Sequence, residues 1–220
     1  MKIDAHTHSL YSPDSMTDVG TLLKAAILAG MDAIAVTDHN TVRGSIAALS
    51  MVKTGIVVIT GCELSTADGH LLCLGIREDI PRGIAMAEAV EKVQELGGVA
   101  VPSHPFRMGT GAGQTVLKGL RVNAIETVNG RNHSSRNRRA ELFARAAGMG
   151  ETGGSDSHFP HEAGRAYTVV EGEGLSQSDI LQSIGSGKSR AEGRGQSVAG
   201  SVRTTIKIVR EYAGRRGKHI

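Results

Sequence analysis

The 220-residue chain is 40% hydrophobic and 21% charged, with a formal net charge of +3, which suits one globular domain with a sizeable core and excludes a disordered chain. Much of the positive charge falls late, as in "REYAGRRGKHI", so the body is near neutral and a nucleic-acid surface covering the whole domain is disfavoured. No stretch approaches the roughly 18 apolar residues of a membrane span, and the first residues run straight into a strand-like segment, so the expected setting is cytoplasmic and without a membrane partner.

The 29 glycines and only three Tyr and three Phe fit an α/β enzyme rich in turns better than an aromatic binding surface. Cys62 and Cys73 are not in a CxxC arrangement and read as buried thiols. Short apolar runs predict strands at Ile3 to His6, Ala33 to Thr37, Ile56 to Thr60, His70 to Ile76, Val99 to Pro102, Ala124 to Val128 and Arg165 to Val170, with a weak one near Met149 to Thr152. Between them, Val19, Leu22, Leu23, Ala26 and Ile27 mark one face of a helix that Gly30 can close. Further helices fit Val42 to Lys53, Ile84 to Leu96, Ser134 to Ala147 and Ser176 to Ile184. Repeated β-then-α units predict an α/β fold with a parallel sheet under helices, closed into a barrel; an open doubly wound sheet is the alternative. One domain over 1–213 is expected, its last helix ending near Tyr212, followed by a basic tail over 214–220.

Polar residues gather where the strands end. His6 and His8 follow the first, Asp38 and His39 ("VTDHN") the second, Glu63 ("TGCELS") the third, and His104 ("VPSHPF") the run "GGVAV". Glu126 and Asn129 ("AIETVNG") and then Asp156 and His158 ("GGSDSH") follow further strands. In a parallel barrel such ends share one mouth. Side chains two apart on a strand share a face, so a His-x-His pair can chelate one ion. A carboxylate such as Glu63 is costly to bury unpaired, and a metal would neutralise it. A structural zinc site closes with four ligands, commonly rich in Cys, whereas this chain offers more His and carboxylate candidates than one ion needs. More than one divalent ion is therefore expected, with Zn, Mn or Fe all suited to these ligands.

The segments "DAHTHSLYSPD", "AIAVTDHN", "GCELS", "HLLCLGI", "SHPF" and "GGSDSH" resemble, in order and spacing, the signatures of the PHP (polymerase and histidinol phosphatase) superfamily over about residues 1 to 170. The resemblance implies a distorted (β/α)7 TIM-like barrel carrying two or three metal ions and a phosphoesterase activity in which a metal-bound hydroxide is the nucleophile. Carried over by motif, His6, His8, Glu63 and Asp156 would hold a first ion, and Asp14, His39 and His158 a second. Glu63 would bridge to a third held by His70 and His104. Ser15 stands where the family often has Gly after the Asp14 position.

Arg forks two hydrogen bonds to phosphate oxygens, so Arg107 and Arg131, on loops expected at the mouth, are substrate-binding candidates together with Asn129. Asp38 is a candidate for orienting a neighbour, and His133 and His161 for donating a proton to a leaving alcohol. "MGTGAGQT" (108–115) lacks the phosphate-loop spacing and reads as a flexible active-site loop. The expected substrate is a small nucleotide, a nucleoside bisphosphate or a short oligonucleotide. The alternatives are a PHP module partnering nucleic-acid enzymes, and a histidinol-phosphatase-like or amidohydrolase activity. The basic helix from Arg131 to Arg145 could contact polyanions.

Overall fold

In the computed structural model, which describes residues 1–52 and 55–196, the chain opens with β1 (Lys2–Thr7). Ile3 and Ala5 of this strand enter the main apolar core. Asp18 caps α1 (Val19–Leu28) by accepting the Thr21 N–H, and Val19, Leu22, Leu23 and Ala26 turn inward. Gly30, at φ 75°, lets the chain reverse after it. β2 (Ala33–Val36) then runs parallel to β1, and after α2 (Arg43–Met51) β3 (Val57–Ile59) runs parallel to β2.

The next three strands depart from a β/α alternation. β4 (Gly61–Thr66), β5 (Gly69–Leu74) and, after α3 (Met86–Glu95), β6 (Val99–Pro102) form an antiparallel sheet. Cys62 and Cys73 face each other across it as buried free thiols. α4 (Gly113–Gly119) leads to β7 (Ala124–Asn129), which after α5 (Ser134–Ala147) pairs in parallel with β8 (Gly150–Gly154). A single 3-10 turn, Pro160–Glu162, precedes β9 (Ala166–Val169), α6 (Gln177–Gly185) and β10 (Arg190–Gly193).

The ladders fall into three sheets, β10-β9-β1-β2-β3, β4-β5-β6 and β7-β8. The fold is thus mixed α/β, but among the described residues its strands are neither all parallel nor joined in one closed ladder. Short bridges span two of the gaps: His39 pairs with Glu63, and Thr7 with Ser157. β6 lies beside β7, and β8 beside β1. The last approach requires glycine, because a Cβ at Gly154 would strike the His6 side chain, and β8 needs glycine against its other neighbour too, since a Cβ at Gly153 would strike the Tyr167 carbonyl of β9. Leu72, Leu74, Val101, Ile59, Ile180 and Ile184 fill the centre with Ile3 and Ala5. Relative to the sequence expectation, "MGTGAGQT" runs into α4 and is not wholly a loop. The expected terminal helix near Tyr212 and the 214–220 tail lie outside the described residues.

Candidate metal centre

The strand exits converge at one end of this core. His6 and His8 leave β1, His39 follows β2, Glu63 stands in β4, His70 in β5, His104 follows β6, and Asp156 and His158 follow β8. Apart from half-buried His39 and His70, these side chains are almost fully buried. Glu63 is the hub: its carboxylate lies 3.4 Å from His6, 3.5 Å from His8, 3.1 Å from His39, 3.1 Å from His70 and 2.8 Å from His104. Asp156 Oδ1 is 3.3 Å from His8 Nε2, while Asp14 Oδ2 is 2.9 Å from His158 Nε2 and 3.5 Å from His39 Nε2. Four overlapping triads bring ligand atoms within 4.8 Å of one another: His8/His39/His158, His6/His104/Asp156, His6/His8/Glu63 and His39/Glu63/His70.

The hydrogen bonds around these residues leave nitrogen and oxygen lone pairs that fit metal ions. Glu126 Oε1 lies 2.9 Å from His6 Nδ1, and a carboxylate can only accept, so His6 donates from Nδ1. Ser12 Oγ donates to Asp38 Oδ1 (2.8 Å) and therefore accepts from His8 Nδ1 at 3.1 Å. The two Nε2 atoms are left facing each other 3.1 Å apart, a contact that requires a proton or a cation between them. In addition, Asp14 Oδ1 is buried without a hydrogen-bond partner, and His39 Nδ1 meets Glu63 in a geometry that forms none. A cluster of lone pairs this dense fits more than one divalent cation, and its nitrogen and oxygen donors suit Zn, Mn or Fe.

The electrostatics follow from burial against pairing. Burial alone would push His6 down, but Glu63, Glu126 and Asp156 outweigh it and hold its pKa well above the imidazole range. His8 is pushed down to about 3 by burial and by the His158 and His39 charges. His39, despite burial, is raised to about 9 by Asp14 and Glu63. Burial opposes the ionised forms of Glu63 and Asp156, yet both stay well below the carboxylate range, Glu63 through the surrounding histidines and Asp156 chiefly through Arg107 and His6.

Three non-glycine residues at the strand exits adopt left-handed backbone: Asn40 (φ 58°), His104 (φ 31°) and Asp156 (φ 54°). Such conformations cost on the order of 1–3 kcal/mol each and persist only where the surroundings enforce them. Here each peptide N–H is held, Asn40 by Glu63 O (2.9 Å), His104 by Glu126 Oε2 (2.6 Å) and Asp156 by His6 O (2.7 Å).

The candidate substrate groups divide. Arg107 reaches the cluster, donating to Asp156 Oδ2 and Asn129 Oδ1 (both 2.7 Å) and to Asn132 Oδ1 (2.8 Å). Arg131 Nη1 lies 2.8 Å from His158 Nδ1. Asn129 is buried and also donates to Asp156 and Glu126. Asp38 sits behind the cluster with its oxygens occupied by Ser9 and Ser12. His133 caps α5 through Ser135, and exposed His161 stacks on Phe159, so neither joins the triads. Sequence reasoning missed Ser12, Ser103, which donates to Glu63 Oε1 (3.0 Å), and Asn132. A lone serine or asparagine carries no pattern that could have marked them.

Comparison with known proteins gives two family matches. The model for the PHP domain matches residues 4–147, and one described as PHP-associated matches residues 134–189. Protein MJ0417 of Methanocaldococcus jannaschii is 30% identical over 189 residues, covering 82% of this chain and 75% of the relative. The fold is similar to that of PsfC from Pseudomonas syringae, with a TM-score of 0.71 at 18% identity over 97% of this chain and 98% of that one. It is also similar to the lesion-specific endonuclease PfuEndoQ from Pyrococcus furiosus, with a TM-score of 0.66 at 16% identity over 86% of this chain and 57% of the endonuclease. No described helix is long and apolar enough to cross a membrane.

Proposed function

This chain belongs to the PHP domain family, and from that premise we propose that it is a metal-dependent phosphoesterase acting on a small nucleotide, a nucleoside bisphosphate or a short oligonucleotide. The strand ring, with its antiparallel segment and interrupted ladders, is read as a distorted barrel of the PHP type. The observation that carries the reading is the pair of facing Nε2 atoms of His6 and His8 beside Glu63 and Asp156. His6, His8, Glu63 and Asp156 would hold one ion, Asp14, His39 and His158 a second, and His70 and His104 a third shared through Glu63. When bound, such ions supply Lewis-acid charge and activate water for attack on phosphorus.

The chain's own residues account for the rest. Asp156 and Asn129 fix the Arg107 guanidinium at the edge of the cluster, where its remaining N–H groups can meet a phosphate oxygen without first being ordered. Arg131 offers a second positive charge from the same side. Two guanidiniums beside a buried cluster favour a phosphate carrying close to two charges over a neutral amide. The endonuclease with a similar fold acts on nucleic acid, which favours a nucleotide among phosphate esters.

Elemental analysis of protein purified without chelator, paired with phosphate release from a panel of phosphate esters, tests this. Two or three equivalents of Mn, Fe or Zn and release abolished by chelator are expected. No bound metal after addition of Mn²⁺ or Zn²⁺, with no release, would overturn it.

A further inference from the structure

We propose that Glu126 is a positioning residue for the metal centre, a buried carboxylate that holds no ion itself but fixes two ligands at the exits of different strands, His6 and His104. The inference rests on reading those two histidines as ligands. Glu126 stands in β7, 1% exposed, and both of its oxygens are engaged. Oε1 accepts His6 Nδ1–H at 2.9 Å, while Oε2 accepts the His104 peptide N–H at 2.6 Å and Asn129 Nδ2–H at 3.0 Å. It belongs to none of the ligand triads among the described residues.

Each bond has a consequence at the cluster. Because an ionised carboxylate only accepts, His6 must carry its proton on Nδ1 and present Nε2 to Glu63 and His8. A histidine ligand whose other nitrogen is held in this way has its tautomer and ring orientation set in advance. The bond to the His104 N–H secures a left-handed peptide, and that peptide aims His104 Nε2 at Glu63 Oε1, 2.8 Å away. Through Asn129, whose Oδ1 accepts from Arg107, the same carboxylate is linked to the guanidinium at the edge of the site.

Glu126→Gln separates positioning from bulk. The amide has the same shape but replaces one accepting oxygen with a donor, so at least one of the three N–H groups loses its acceptor. Zn²⁺ affinity of the full chain, measured by titration calorimetry, should fall about 10- to 100-fold, while the circular dichroism of the metal-free chain stays that of the wild type. In long-range proton–nitrogen spectra of the Zn²⁺-loaded wild type, the His6 ring should be protonated at Nδ1 and should change in the variant. Wild-type Zn²⁺ affinity in Glu126→Gln with an unchanged His6 spectrum would overturn the proposal while leaving the metal centre standing. If the variant does not fold, the wild-type spectrum decides, since a His6 protonated at Nε2 would overturn it. A wild-type chain that binds no metal would overturn the metal centre, and this inference with it.

Discussion

The two ends of β1 obey opposite rules. Ile3 and Ala5 join Ile59, Leu72, Leu74 and Val101 in an apolar centre, where removal of surface from water and close packing do the stabilising. A few residues on, His6 and His8 are as deeply buried, but among carboxylates and other imidazoles, with Asp156 held in left-handed backbone close by. Burial there is unfavourable until charges are paired or an ion is bound. The contrast teaches that depth alone says little about role: the apolar centre carries stability, the polar mouth a candidate metal centre, and each should be breakable with little effect on the other's readout.

The sharpest break is at Glu63, which touches five imidazoles. Glu63→Gln should remove metal and lower phosphate release by more than about 100-fold, since even partners outside the ligand set cost 10- to 100-fold. Metal content and activity should fall together, and a variant with full content of both would erase the distinction between mouth and core. Leu72→Ala probes the other region. Leu72 is fully buried in the apolar centre, and its truncation should cost about 2–5 kcal/mol, read by urea unfolding. The folded variant should still bind the wild-type complement of metal.

Much of the clustering at the mouth was legible because the side chains that meet there sit in local motifs at strand exits. "DAHTHS" declares a chelating spacing on a strand, "VTDHN" a turn that carries a histidine, and "GGSDSH" both a turn and a chelating spacing, and of the nine expected ligands only Asp14 stays outside the triads while still contacting His39 and His158. The sheet was less legible. Only Thr60 separates β3 from β4, and the one glycine at the junction, Gly61, is too little to announce a reversal of partners. β10 is "RAEG", an edge strand without an apolar face, and α4 is seven residues long with Gly at both ends, so neither carries a hydrophobic period. Glu126 is visible as a charge within an apolar run, but its role depends on partners 22 and 120 residues away.

Arg107 stands on the border between the regions, donating to Asp156 but partly open to solvent. Arg107→Lys cannot reproduce three directed bonds to Asp156, Asn129 and Asn132. A hydrogen bond to a charged group contributes about 1.5–3 kcal/mol, so kcat/KM for a phosphate ester should fall roughly 10- to 100-fold, with metal content retained. Loss of metal in this variant would move Arg107 from the substrate side of the mouth to the ligand scaffold.

The smallest effect lies at a helix cap that holds none of the clustered side chains. Asp18 caps α1, its Oδ1 accepting the Thr21 N–H at 2.9 Å, and Asp18→Ala should cost about 0.5–2 kcal/mol of stability without touching metal content. The bonds from Thr21 hold the Asp18 carboxyl below the ordinary carboxylate range. Because the folded pKa is the lower one, the charge contributes stability above the unfolded value, and that contribution is lost as pH falls through the folded value. Asp18→Asn keeps an acceptor at the cap but cannot titrate, so its deficit against wild type should appear at neutral pH and close in acid. Urea unfolding at neutral pH and again below the carboxylate range reads the difference, and a deficit that does not change with pH would assign the cap to hydrogen bonding alone, with no contribution from the charge.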